Sequence, residues 1–252
     1  VRYLPQKHNR GGGAARNIGL ALARGDYIAF QDSDNEWLPD KLGKQMAIFL
    51  SSPGLFDVVY SGFWKVKEHQ KSYFPYCRIK KMEGDIHQAL LWENFIDTSA
   101  ILVRRERLNQ VGGFDERLHR FQDWELCLRL SKLFAFGFVD EPLHLAHYQQ
   151  HSISTNREAA VQALQVISDK HHAEISADAK LQAHFNHWIG LCYADLGKRT
   201  PAVSYLFKAV LGQSLCMRYY VSFFGAGISP AALTQLVSAY QLFRNRSTWQ
   251  PY

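Results

Sequence analysis

Asp32-Ser33-Asp34 places two carboxylates one residue apart, directly after the stretch Tyr27–Gln31, which reads as a strand. Such a pair on a tight turn can share a hard divalent cation and a ribose. Mg2+ takes few protein carboxylates and completes its shell with water and substrate phosphates. Position adds weight, because ligands of open α/β sheets gather at the carboxyl ends of strands. Neighbouring acids also serve as a solvated helix cap, and that reading stands beside the first.

Three other groups carry chemistry. Asn9-Arg10-Gly11-Gly12-Gly13-Ala14-Ala15-Arg16-Asn17 precedes the acidic turn. Its glycines allow close approach of backbone to a ligand, and Arg16 can contact an anion or a base. A flexible loop entering a helix is the plain alternative, and the dinucleotide-binding glycine spacing does not fit. Asp123, in Phe121-Gln122-Asp123-Trp124-Glu125, falls at the start of an amphipathic pattern. There it is a helix cap, or a general base if a hydroxyl comes within hydrogen-bond reach. His144, His147 and His151 follow one another closely and are read as metal or phosphate contacts, or as ordinary histidines.

These residues need a frame. The pattern predicts a β-prone stretch at 1–5, a helix at 14–24, a buried strand at 27–30 and a helix from Pro39 to about residue 50. A strand at 56–60 follows, then a basic, aromatic loop at 65–81 with room for a hairpin. Further strands are expected at 95–103, 136–139 and 143–148, a short helix ending at Val111, and a helix at 122–133. The β-α-β-α-β order implies a parallel or mixed sheet with right-handed crossovers. Beyond residue 154 only helical runs are expected, near 157–173, 178–196, 201–211 and 230–243. The expected domains are therefore 1–154 and 155–252, divided at the polar stretch 151–156.

Two ordered blocks resemble family 2 glycosyltransferases of the GT-A fold. The first runs from Asn9-Arg10-Gly11 through Ala15-Arg16-Asn17-Ile18-Gly19 and Ala23-Arg24-Gly25-Asp26-Tyr27 to Gln31-Asp32-Ser33-Asp34, Trp37 and Pro39-Asp40-Lys41-Leu42. The second runs from Thr98-Ser99 and Val103-Arg104-Arg105 to Gly112-Gly113-Phe114-Asp115-Glu116 and Gln122-Asp123-Trp124-Glu125-Leu126. The resemblance covers about residues 1–154. It implies an α/β, Rossmann-like mixed sheet flanked by helices. It also implies transfer of a sugar from a nucleoside-diphosphate sugar to an acceptor hydroxyl, with inversion.

By the same resemblance, Asp32 lies near the nucleotide ribose and Arg16 in a segment lining the nucleotide pocket. Asp34 resembles the carboxylate that binds Mn2+ or Mg2+, and Asp123 the base that deprotonates the acceptor. His151 is the second metal candidate, from an Arg/His element that aligns poorly at residues 147–151. Three departures stand out. The family's first strand, with its Pro-Thr-Tyr-Asn signature and uridine-binding acid, is not in the sequence and would precede Val1. Asn35 stands where a second Asp is common, and Gln122 where a Glu is usual.

The chain of 252 residues is 47% hydrophobic and 21% charged, which supports a folded core rather than disorder. Its net charge of +6 suits a phosphate-bearing substrate, a nucleic acid or an anionic membrane without choosing among them. Nucleic-acid binding rests on that charge alone and is not expected. Cys77, Cys127, Cys192 and Cys216 are too scattered for a zinc site or a disulfide framework. With no secretory leader and no apolar run long enough for a bilayer, a cytoplasmic location is expected, or the inner membrane face. The opening on Val1 rather than Met is read as a fragment.

In the tail, Ile189-Gly190, Tyr193, Leu196-Gly197, Ala202, Tyr205 and Lys208-Ala209 resemble one tetratricopeptide hairpin. The apolar positions of 232–243, followed by Arg244 and Arg246, read as a helix covering the core or making a peripheral membrane contact. The acceptor class expected is a glycan or a lipid-linked precursor of surface polysaccharide. The rival function is a degenerate transferase core that binds a partner through its helical tail.

Overall fold

The computed structural model describes residues 2–68, 70–76, 79, 81–147 and 155–228. It divides into two compact units, Val1–Ile153 and Ser154–Tyr252.

In the first unit, among the described residues, six strands form one mixed sheet: β1 (Tyr27–Ala29), β2 (Asn35–Trp37), β3 (Val58–Lys67), β4 (Gln70–Phe74), β5 (Leu102–Arg104) and β6 (Phe136–His147). The strand order is β1-β5-β3-β6-β2, with β4 hairpinned onto β3. The β3–β6 pair is parallel and the others are antiparallel. Consecutive β3 residues Val58, Val59 and Tyr60 are all fully buried. Both faces of this strand are therefore covered, which explains its continuous apolar run.

On one face, α2 (Lys41–Ser51) brings Phe49 and Met46 against Phe56, Val59, Leu102, Val139 and Leu143. On the other, Tyr60 packs among Phe95, Phe136 and Phe138. Here α5 (Gln122–Ser131) joins α3 (His87–Trp92) through Trp124, whose indole Nε1 donates to the Leu90 carbonyl at 2.6 Å.

The structure corrects several expectations. Described residues 2–6 belong to no strand. The glycine run is not a loop before the first helix; it is the first turn of α1 (Gly11–Leu22), with Asn9 Oδ1 accepting the Gly11 N–H at 2.9 Å. Gly13 is buried there, and a Cβ on it would lie 3.4 Å from the Gln122 side chain. Tertiary packing thus overrides glycine's low helix propensity.

Residues 95–103 are not one strand. Asp97 accepts the Ser99 N–H at 2.8 Å and starts a 3-10 turn at Thr98–Ala100, leaving only Leu102–Arg104 to pair. The apolar signal came from Phe95, Ile96, Ala100 and Ile101, all buried but outside any strand. The two strands expected at 136–139 and 143–148 are one, β6, whose pairing with β3 shifts register around Gly62. Neither α3 nor β2 was visible in the pattern, each being a few residues long. A short helix, α4 (Arg105–Val111), ends at Gly112, whose φ is +81°.

The second unit contains α6 (Arg157–Lys170), α7 (His172–Ala177), α8 (Ala179–Asp195), α9 (Arg199–Gly212) and α10 (Met217–Ile228). Side chains of Asn156 and Asp178 accept N–H groups at the starts of α6 and α8. The residues of the tetratricopeptide-like pattern form the α8–α9 hairpin. Gly190 permits its close approach, since a Cβ there would lie 2.7 Å from Leu206 Cγ. Helix α10 completes this layer: Phe223 meets Phe207, and His187 Nε2 lies 2.9 Å from Ser222 Oγ. The helix expected at 230–243 lies outside the described residues. Among the described residues, no helix is long and apolar enough to cross a membrane.

Candidate functional site

Asp32 through Asn35 forms a β-turn between β1 and β2, closed by the Asn35 N–H donating to the Asp32 carbonyl at 3.2 Å. The two acids of the turn are not equivalent. Asp34 is exposed and its carboxylate has no partner among the described residues. Asp32 is partly buried and accepts a charged hydrogen bond from Arg16 Nη2 at 2.5 Å. Burial raises the Asp32 pKa, and the Arg16 charge and hydrogen bond oppose that rise.

Arg16 is held from three sides. Its Nη1 donates to Gln122 Oε1 at 2.8 Å, and its guanidinium lies 5.3 Å from the centre of the Phe114 ring. Gln122 also donates from Nε2 to the Leu118 carbonyl at 2.5 Å. A glutamate there has no N–H to donate, so the departure at Gln122 suits its second bond. Phe114 is fixed in turn by Asn17, which accepts from the Phe114 N–H at 2.8 Å and donates to its carbonyl at 2.9 Å.

That clamp yields a stability prediction. Gly113 has φ +68°, and a Cβ on it would lie 2.6 Å from Asn17 Oδ1. Gly113→Ala should cost about 2 kcal/mol through strain and the displaced Asn17. Thermal unfolding should fall by several degrees, and an unchanged melting temperature would refute this account.

Asp123 heads α5. Its Oδ1 accepts the Trp124 N–H at 2.7 Å and faces Asn94 Nδ2 at 3.4 Å. Phe121, just before the helix, has φ +57°, a conformation that non-glycine residues adopt mainly under tertiary constraint. Burial pushes the Asp123 carboxyl up to about 6, helped first by the negative charge of Asp97 and opposed by the Trp124 N–H and Arg16. A carboxylate tuned this way is ionised near neutral pH yet basic enough to accept a proton.

Asp97 is the site residue the sequence reading missed. Its Oδ1 accepts the Ser99 N–H and lies 3.1 Å from Nε2 of fully buried His144. Burial alone would raise its pKa, but the His144 hydrogen bond and charge reverse this and hold it low. The signal was an Asp-Thr-Ser step inside an apolar run, a pattern that favours local side-chain capping over a strand. Lys41 was also passed over. It is buried, sits 4.6 Å above the Trp37 ring, donates to Gln45 at 2.6 Å, and burial brings its pKa down to about 8.

His144 and His147 do not come together. His144 points into the core and His147 is exposed at the end of β6, as their odd spacing on a strand requires. His151 lies outside the described residues. A cavity of about 560 Å3 runs along α1 and β1, lined by Gly12, Arg16, Leu20, Ile28, Phe30 and Asp32 among others.

The mixed sheet flanked by helices is the GT-A architecture, which the structural likeness supports. The structure of S. aureus TarS 1–349 in complex with UDP-GlcNAc superposes over 92% of this chain and 72% of that chain, with a TM-score of 0.60 at 15% identity. At that identity the likeness is one of fold. The family model described as glycosyltransferase like family 2 matches residues 1–163, and the chain belongs to that family.

Among curated relatives, the amylovoran biosynthesis glycosyltransferase AmsB of Erwinia amylovora is 35% identical over 142 residues, 54% of this chain and 46% of that protein. The pre-mycofactocin glycosyltransferase of Mycobacterium tuberculosis is 30% identical over 138 residues, 52% of this chain and 28% of that protein. The chain thus matches half or less of the length of these relatives.

Proposed function

We propose that the protein is an inverting glycosyltransferase that moves a sugar from a nucleoside-diphosphate donor to an acceptor hydroxyl. The carrying observation is the division of labour among its carboxylates. Asp34 has no partner among the described residues, Asp32 is clamped by Arg16, and Asp123 is raised to about 6 with Arg16 and Asp32 among the charges acting on it.

The residues present fit a divalent cation. One unpaired, exposed carboxylate on a turn is the donor set that Mn2+ or Mg2+ completes with water and diphosphate oxygens. Asp34 would hold it, and the bound cation would stabilise charge on the leaving diphosphate. Asp32 and Arg16 stand together beside the acidic turn, where they orient the nucleotide.

In the reaction, the acceptor oxygen bonds to the anomeric carbon as the bond from that carbon to the diphosphate oxygen breaks. Asp123 takes the hydroxyl proton, and the nucleoside diphosphate leaves with the bonding pair. Attack from the face opposite the leaving group inverts the anomeric centre. A polysaccharide or lipid-linked glycan acceptor is supported by the kinship to AmsB, a protein of amylovoran biosynthesis.

Titration calorimetry of the intact protein against a panel of nucleotide sugars, with Mn2+ and with EDTA, tests the reading. At least one donor should bind with micromolar affinity in Mn2+ and lose it in EDTA. No binding by any donor in Mn2+ or Mg2+ would eliminate the proposal.

A further inference from the structure

Ser99 is fully buried, and its hydroxyl reaches both ends of the acidic turn. Its Oγ accepts the Asp32 backbone N–H at 3.3 Å and the Asn35 side-chain Nδ2 at 3.0 Å. Asp34 lies between these two anchor points. Ser99 is itself placed by Asp97, which accepts its N–H at 2.8 Å. Asp97 is placed by His144 on β6, a ring stacked on Phe63 with centroids 4.8 Å apart. His144 stands opposite Trp37 in the β2–β6 register, and β2 is the strand that leaves the turn. Besides the Arg16–Asp32 ion pair and the Gln31 Nε2 bonds to the Asp32 and Asn35 carbonyls, the turn is held through its strand and through a chain of polar contacts running from His144 to Ser99.

We propose that Ser99, seated by Asp97 and His144, is a positioning residue that presets the Asp32–Asn35 turn for the donor diphosphate and its cation. The inference rests on the glycosyl-transfer reading and deepens it. Asn35 is part of the device. Its Nδ2 donates to Ser99, which a carboxylate at that position has no proton to do near neutral pH. Asn35 also keeps the turn to two acids. Preorganisation of this kind lowers what ordering the turn takes from binding, so its loss should weaken donor and cation binding more than chemistry.

The test uses the intact protein, with Mn2+ alone and Mn2+ with UDP or GDP as calorimetric probes, and steady-state transfer kinetics beside them. Ser99→Ala should weaken Mn2+-dependent nucleotide binding about tenfold and raise the donor KM by a similar factor, through two lost hydrogen bonds. Its kcat should stay within about threefold. Asn35→Ala, at a less buried position, should weaken binding in the same sense by a smaller factor. In Mn2+-dependent nucleotide binding, Asp97→Ala should resemble Ser99→Ala, whereas Asp97→Asn keeps the Oδ1 acceptor and should recover most of that loss; both remove the Asp97 charge that acts on Asp123, so their kcat is not part of the comparison.

A purely structural role would lower the melting temperature without the KM-against-kcat split, and that result overturns the proposal. So does Ser99→Ala or Asn35→Ala binding as tightly as the unaltered protein. If the unaltered protein binds no nucleotide at all, the functional reading fails and this inference falls with it. If it binds and the variants match it, only this inference falls.

Discussion

Asp123→Asn is expected to lower transfer about 10^3-fold while leaving Mn2+-dependent donor affinity within about threefold. The amide keeps the size and the acceptor that meets the Trp124 N–H at 2.7 Å, so the start of α5 is preserved. What disappears is basicity, and general base catalysis is worth typically 10^2–10^4 in rate. Because the Asp123 carboxyl is pushed up to about 6, the unaltered rate should rise with pH to a plateau just above that value.

Stability should move the other way. A carboxyl raised in the folded state favours its neutral form there, so ionisation opposes folding. The unaltered protein should therefore lose stability as pH rises from about 4, the unfolded value, through about 6. The Asn variant lacks this loss. Two pK units correspond to about 3 kcal/mol at most, so it should melt several degrees higher at pH 8 and no higher at pH 4. A rate near that of the unaltered protein would reduce Asp123 to a helix-start residue. A melting difference that does not change with pH would remove the assigned cause of its raised pKa.

The parts legible in the sequence were those written in local pattern. The apolar run 27–30 ended by two acids marked the site turn, and the amphipathic period after Gln122 marked α5. Arg16 was singled out for its type, and the structure brings it to Asp32 and Gln122. What stayed hidden depended on contacts distant in sequence. Gly11 to Gly13 read as a loop because glycine disfavours helices, yet Gly13 gains from lying against Gln122, more than a hundred residues away. Asp97 and Ser99 were masked by apolar neighbours that are buried without being in a strand. The Ser99 link to Asp32 spans 67 positions, and no window of local sequence contains both partners. The histidines were grouped by proximity in sequence, where strand alternation separates His144 from His147.

Asp34→Ala is expected to abolish Mn2+-dependent donor binding with little change in fold. The two acids of the turn make a contrast that sharpens this expectation. Asp34 is exposed and unpartnered among the described residues, so its truncation breaks no internal contact. Surface changes of that kind usually stay within about 0.5 kcal/mol, and the melting temperature should hardly move. Loss of an outer partner of a metal ligand already lowers metal affinity about 10–100-fold, so loss of the ligand itself should cost at least the upper figure. Asp32→Ala should behave differently. It strips Arg16 of its carboxylate while Gln122 and Phe114 still hold the guanidinium in place, leaving a partly buried cation unpaired. That variant should lose stability as well as donor binding. Calorimetry and thermal unfolding on both variants separate the two roles. Undiminished Mn2+-dependent affinity in Asp34→Ala would move the cation site elsewhere. Equal stability losses in both variants would show that the acidic turn acts as one structural unit rather than as a free ligand beside a clamped one.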